Sequence, residues 1–411
     1  MKRRTLLTSS GVVATGAVIG RDVSDQSDRR GPDRWVHTWT AMPQLTEPHN
    51  MPPAPFTSLA DTTLRQTVRI TAGGRRLRVR YSNAFGGADL PITAAAVALP
   101  VGNQAGSSAI RAGTSRPLTF GGRPSVVVPM GAQIVSDPID LPVLAAANLT
   151  VTTYLAEGQN TTAITSHPGS RTTSWLVNGD QHTALDLTGA TPVDHWYLLS
   201  GVEVLGEASG LVVLGDSLTD GRGSTTNGND RWPDQLFDRL RDPRLAVLNQ
   251  AAGGNRVLRD GLGPNALARL DRDVLAVSGA RQLIVFEGVN DIGVAPATDS
   301  DQQQIVAELI GAYRQIVLRA HAGDLRVYGA TLTPFGGNIY DDVTGLRERS
   351  RQAVNAAIRS GLFDAVIDFD AAVRDPAAPR QLAPAYDTGD HLHLNPAGYA
   401  ALAAAVPRRL L

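Results

Sequence analysis

The run Leu211-Val-Val-Leu-Gly-Asp-Ser-Leu218 decides the fold class. Four apolar residues with no polar alternation read as a strand buried on both faces, and Gly215 permits a tight turn straight after it. Similar short runs recur at Leu245–Leu248, Leu283–Phe286, Arg326–Ala330 and Ala365–Phe369. Helical patterns lie between them. In the longest, over 301–320, Ile305, Val306, Leu309, Ile310, Tyr313, Ile316 and Val317 mark one face. Strand–helix alternation over 208–411 predicts a parallel sheet covered on both sides, a flavodoxin-like, three-layer α/β/α domain. Ligands of such sheets bind at the carboxyl ends of the strands.

Upstream, from about Trp35 to Leu205, the rhythm is different. Strand-like runs at Leu64–Ile70, Arg76–Tyr81, Ile92–Leu99, Ser125–Val128, Gln133–Val135, Leu149–Leu155 and Trp196–Val204 are punctuated by Gly and Pro. Leu77, Val79 and Tyr81 alternate with arginines, and Ala72-Gly-Gly74 before them predicts a hairpin joining the first two runs. No long amphipathic helix interrupts the series. Residues 33–207 therefore read as an antiparallel β-sandwich, jelly-roll-like, ahead of the α/β domain.

Composition removes several classes of function. With 411 residues, 42% of them hydrophobic, the chain has room for two cores. Lys+Arg 38 against Asp+Glu 39 leaves a net charge of −1, so no basic surface argues for nucleic acid. No run reaches the roughly 20 apolar residues of a membrane span. The absence of cysteine excludes disulfides, thiolate metal sites and a cysteine nucleophile. Lys2 is the only lysine, so a phosphate-loop lysine, a Schiff base and a Ser–Lys dyad are excluded from everything after it. Covalent chemistry is left to Ser, Thr, Asp, Glu, His and Tyr.

The amino terminus, Met1-Lys-Arg-Arg-Thr-Leu-Leu7, leads into a mildly apolar stretch ending at Gly20. It resembles a twin-arginine export signal, the alternative being a plain basic tail. Residues 1–32 are thus expected to be signal peptide and linker, with cleavage before Asp33 and a secreted mature protein.

Four blocks carry chemistry, each just after a strand or just before a helix. Gly215-Asp-Ser-Leu218 can expose the Ser217 hydroxyl at the sheet edge, where it needs a base to become a nucleophile. Asn249-Gln-Ala-Ala-Gly-Gly-Asn255 lets the backbone approach a ligand, so an N–H there can donate to an oxyanion. In Gly288-Val-Asn-Asp291 the Asn290 amide can do the same. Near the end, Asp390-His-Leu-His-Leu-Asn-Pro396 precedes a helical stretch from Ala397 to Leu411, with Asn395 as its cap and Pro396 as its first residue. An aspartate bonded to one imidazole nitrogen leaves the other free to take a serine proton. Taken singly, each block also reads as an ordinary turn or cap.

In this order and spacing the blocks resemble the SGNH, or GDSL, hydrolase family over roughly residues 208–411. The resemblance implies Ser217 as nucleophile, His393 as base and Asp390 as its acid partner. It implies an oxyanion hole of the Ser217 N–H, the Gly254 N–H and the Asn290 amide, with Gly253 a neighbour of the glycine position and His391 a rival for the base. Trp35-Val-His-Thr-Trp-Thr-Ala-Met-Pro43 and Ser82-Asn-Ala-Phe-Gly86 resemble the region preceding the catalytic domain in secreted actinobacterial members. A β-sandwich ahead of this fold is similar to a group of carbohydrate esterases.

The expected protein is a monomeric serine esterase that needs no cofactor and no metal. Its substrate is a small-molecule or polysaccharide ester, with a short acyl group on a polar or carbohydrate alcohol. A base of this kind gives an acid limb at about pH 6–7. A lipase or an acyltransferase of the same fold is the alternative. Two other classes stand beside it: a metal site built from Asp387, Asp390, His391 and His393, and a non-catalytic carbohydrate-binding protein. Four of the five tryptophans, Trp35, Trp39, Trp175 and Trp196, lie in the front half, as core or as a sugar-stacking platform.

Overall fold

The computed structural model describes residues 34–411; the segment expected to be an export signal, and its expected cleavage point, lie outside the described residues. In the carboxyl-terminal half five parallel strands lie side by side in the order Leu245–Ala251, Ser209–Gly215, Ala280–Phe286, Arg326–Ala330, Ala365–Ile367. In chain order that is 2-1-3-4-5, the flavodoxin-like arrangement. The expected strand 211–214 is its second member, buried at every residue. Helices flank the sheet in two pairs, Trp232–Leu240 with Pro396–Ala405 and Asp299–Ala322 with Leu346–Ala357.

The capping signal at Asn395 acts as expected. The Asn395 side chain accepts the Gly398 N–H, and Thr298 caps the long helix by accepting from Asp301. Ile305, Leu309, Tyr313 and Ile316 form the buried stripe of that helix. The last helix is shorter than expected: it ends at Ala405, because Pro407 cannot continue the ladder.

The front half is an antiparallel sandwich. One sheet runs Arg34–Thr40, Leu199–Gly206, Gly74–Ser82, Ile139–Val143, with Gln133–Val135 also pairing to Gly74–Ser82. The other runs Thr191–Val193, Ser174–Asn178, Thr62–Arg69, Asn148–Leu155, Ala94–Ala98, Arg116–Pro117. The expected hairpin is absent: Thr62–Arg69 and Gly74–Ser82 belong to different sheets. Seven of the eight residues of Thr62–Arg69 are buried, as befits a strand with a neighbour on each side, and residues 70–73 carry the chain across to the other sheet. Thr71 anchors that crossing through its N–H, which donates to Thr38 O at 2.9 Å.

The hydrophobic core is continuous from Val36 and Trp39 through Leu211–Leu214 to Tyr399. The seam is bonded as well as packed. Thr40 Oγ1 donates to Asn249 O at 3.0 Å, and the Val247 N–H donates to Thr71 Oγ1 at 3.0 Å, so the edge strand Leu245–Ala251 is covered by the sandwich. The His37 N–H donates to Ser278 O at 3.0 Å and the Ser278 N–H donates back to His37 Nδ1 at 2.9 Å. Burial pushes the His37 pKa down to about 4, which keeps that nitrogen an acceptor. Among the described residues no helix is long and apolar enough to cross a membrane.

Candidate active site

The strand Ser209–Gly215 ends in a turn that allows no side chain: a Cβ on Gly215 would lie 2.5 Å from Thr219 Oγ1 and 2.9 Å from Phe286 O. Asp216 follows as the cap of the four-residue helix Ser217–Asp220, accepting the Leu218 N–H at 3.0 Å. Burial, with Glu287 beside it, favours the protonated form of Asp216, and burial pushes Glu287 itself up to about 7. Ser217 is thereby placed at the carboxyl edge of the sheet with its hydroxyl turned to the loop before the last helix.

Ser217 Oγ and His393 Nε2 are 2.8 Å apart, and His393 Nδ1 is 2.6 Å from Asp390 Oδ2. Burial raises the Asp390 pKa, but the His393 N–H, the imidazole and the Leu392 N–H outweigh it and hold the group at about 2. An ionised carboxylate only accepts, so Nδ1–H is the donor and Nε2 is left to accept the serine proton. The His393 pKa lies below its ordinary 6.5, since burial outweighs the pull of Asp390, and Arg222 and Arg171 lower it further.

His391 is not part of this chain. It lies in the left-handed region at φ 63, and its Nδ1 bonds Asp387 Oδ2 at 2.7 Å. The four groups of the alternative metal site therefore divide into two separate pairs, and no group of three such side chains is placed to hold an ion among the described residues.

The glycine and asparagine blocks meet the serine from the other side. Gly253 N–H is taken, donating to Asp220 Oδ2 at 3.1 Å. Gly254, at φ 68, makes no N–H bond within the described residues, so of the two neighbours it is the free donor. One hydrogen of the Asn290 amide goes to Asn255 O at 2.8 Å and the other remains. The Tyr340 hydroxyl donates to Asn290 Oδ1 at 2.9 Å, which fixes the amide with its nitrogen on the free side.

Three further groups were not readable as site residues. Arg269 is fully buried and donates to Gln250 O, Gly215 O and Asn255 Oδ1 at 2.6, 3.3 and 2.9 Å. It ties together the strand ends that carry the serine and glycine blocks. Asp291 accepts from the Val257 and Leu258 N–H groups at 2.8 and 3.0 Å, steadying the loop beyond Gly254. Asp220 reaches His167 Nε2 of the sandwich at 2.9 Å, while His167 Nδ1 faces Met42 O at 3.0 Å. Both ring nitrogens thus face oxygen atoms, which fixes the imidazole between the sandwich and the turn that carries the nucleophile.

A cleft of about 440 Å³ opens over Ser217, Gly254, Asn290 and His393. One wall comes from the sandwich: Gln44, Glu47, Asn50, Arg171 and His195. No tryptophan lines it. Trp39 and Trp196 are buried against one another, Arg78 covers Trp35, and Trp175 donates to Gly106 O, so a stacking platform is not formed by these four.

A nucleophile-ready serine chained to an imidazole and a carboxylate at the carboxyl edge of a flavodoxin-like sheet is the arrangement of carboxylic ester hydrolases, and this chain is one. Its residues 213–401 match the model of the GDSL-like lipase/acylhydrolase family. Among solved structures the chain is similar to the aryl esterase of M. smegmatis, with 17% identity, 49% of this chain and 98% of that one covered, and a TM-score of 0.39. It is also similar to a carbohydrate acetylesterase from Sinorhizobium meliloti, with 14% identity, 49% and 98% covered, and a TM-score of 0.37. A third is an acetyl xylan esterase, with 17% identity, 48% and 96% covered, and a TM-score of 0.36. No curated protein matched the chain.

Proposed function

We propose that the protein is an exported serine esterase that hydrolyses short-chain acyl esters of a polar or carbohydrate alcohol. The observation that carries the mechanism is the unbroken chain Ser217 Oγ–His393–Asp390 with bonds of 2.8 and 2.6 Å. Ser217 Oγ attacks the ester carbonyl while its proton passes to His393 Nε2, and Asp390 stabilises the imidazolium. The Ser217 N–H, the Gly254 N–H and the Asn290 amide bind the oxyanion. The C–O bond breaks, the alcohol departs with the proton from His393, and an acyl-Ser217 ester remains. Water then attacks that ester as its proton passes to His393, and His393 hands that proton to Ser217 Oγ as the acyl bond breaks, which releases the carboxylic acid and restores the serine.

Tyr340 acts on this step through Asn290. Tyr340→Phe frees the amide to rotate and is expected to lower kcat on the order of tenfold with little change in KM, part of the loss that follows removal of a whole oxyanion donor. An unchanged kcat would take Tyr340 out of the oxyanion assembly.

The cleft supports the preference for small acyl groups. Most of its lining residues are polar, with Leu262, Leu392 and Pro168 as the aliphatic members, and polar loops at 219–226, 253–256 and 336–338 surround the site. A long alkyl chain finds little to bury against. In a series of p-nitrophenyl esters, kcat/KM is expected to peak at about C2–C4, each added methylene gaining less than the ~0.8 kcal/mol of full burial. A steady climb from acetate to laurate would replace this reading with a lipase.

A further inference from the structure

Arginine is paired almost wherever it is buried in this protein. Arg231 bonds Asp234, Arg269 meets Glu287 and Asp273, and Arg351 meets Glu348 and Asp370. Two arginines of the catalytic cleft, the half-buried Arg171 and the exposed Arg222, have no such partner. Neither Arg171 nor Arg222 forms an ion pair or a side-chain hydrogen bond among the described residues, and both line the cleft with Ser217 and His393. Arg171 Nε is buried with no partner at all.

Both side chains spring from backbone that is held in place. Arg171 sits in the left-handed region at φ 50, which costs a non-glycine residue energy unless its surroundings enforce it. The Asn227 N–H, donating to Arg171 O at 2.9 Å, supplies part of that hold. Arg222 is fixed from both ends: its N–H donates to Ser217 O at 3.0 Å, and the Tyr399 hydroxyl donates to its carbonyl at 2.6 Å. Two arginines, one from the sandwich and one from the turn after the nucleophile, thus enter the cleft from fixed backbone with no carboxylate bonded to their guanidinium groups.

The acids in the same cleft are bonded to other groups. Glu47 accepts from Gln44 Nε2 at 2.6 Å and from Asn50 Nδ2 at 3.1 Å, and Asp220 is engaged with His167 and the Gly253 N–H. An unpaired arginine in a cleft is a fork of donors awaiting a planar anion. We infer that Arg171 and Arg222 bind a carboxylate carried by the alcohol part of the ester, so that the substrate is an acyl ester of an acidic sugar or another hydroxy acid. This rests on the esterase reading and adds the alcohol's charge to it.

The test compares three aryl acetates of similar size: 4-acetoxybenzoate, 4-acetoxybenzamide and 4-acetoxyphenyl phosphate. The benzoate is expected to exceed the benzamide in kcat/KM by about tenfold or more, chiefly through KM, and added salt should shrink the difference. In Arg171→Gln, and separately in Arg222→Gln, the benzoate-to-benzamide ratio should fall toward one. The ratio is internal to each variant, so a variant with altered folding still reports it through its active fraction. Equal kcat/KM for benzoate and benzamide in the native protein would overturn anion recognition while leaving the esterase intact. A ratio unchanged in both variants would overturn the assignment to these arginines. Preference for the phosphate would overturn the carboxylate. No turnover of any of the three would instead strike the esterase reading itself.

Discussion

Ser217→Ala will lower ester hydrolysis by at least about 10³-fold while leaving the protein folded, the scale of loss when a member of such a triad is removed. The hydroxyl is buried, yet its one bond is to His393, so its removal leaves the helix cap at Asp216 and the core around Leu214 and Leu218 untouched. A circular dichroism spectrum and melting temperature like those of the native chain should accompany the loss. A serine-directed phosphonofluoridate should label Ser217 in the native protein and nothing comparable in the variant, and EDTA should leave activity unchanged. A folded Ser217→Ala protein with near-native turnover would end the serine mechanism. Activity abolished by EDTA and restored by zinc would transfer the chemistry to a metal.

The second large effect concerns the base. His393→Ala should be as inactive as the serine variant, because no other imidazole is bonded to Ser217 Oγ. His391→Ala should keep most activity, since that ring is half-exposed and bonded to Asp387. The pH profile has a definite sign. His393 works as the neutral form, so kcat/KM is full above its pKa and falls tenfold per unit below it. Burial, reinforced by Arg222 and Arg171, lowers that pKa from 6.5, so the acid limb lies below the usual histidine position and toward lower pH than the about 6–7 expected of an exposed imidazole. A limb above 6.5, or a dead His391→Ala beside an active His393→Ala, would contradict the assignment.

Local pattern was enough for the parallel sheet, and there are physical reasons why. Runs such as Leu211–Leu214 are buried on both faces, and the turns and caps after them are chemically distinctive, as at Gly215, Asn395 and Pro396. The sandwich was harder. Alternation in Arg76–Tyr81 tells which face is buried but not which sheet the strand joins, and so the link at 70–73 was taken for a hairpin when it is a crossing between sheets. The four motif residues and Asp390, joined in the sequence only through the family resemblance, come together at one end of the sheet. Their supports come from far along the chain. Tyr340 lies just past the Gly336-Gly-Asn338 loop, close enough that a hydroxyl near a fourth strand end was a readable signal. Arg269 sits inside an unremarkable helix and Arg171 in the sandwich, and only the folded chain brings them to the site.

The covered edge of the parallel sheet makes each half a template for the other. The strand Leu245–Ala251 gives its Asn249 carbonyl and Val247 N–H to threonines of the front half, and Ser278 exchanges two bonds with His37. Without the front half, the hydrolase half would carry a raw strand edge and a half-built cleft. Substitutions at Thr40, Thr71 or His37 are therefore felt at the edge strand and at Ser278, some two hundred residues away along the chain.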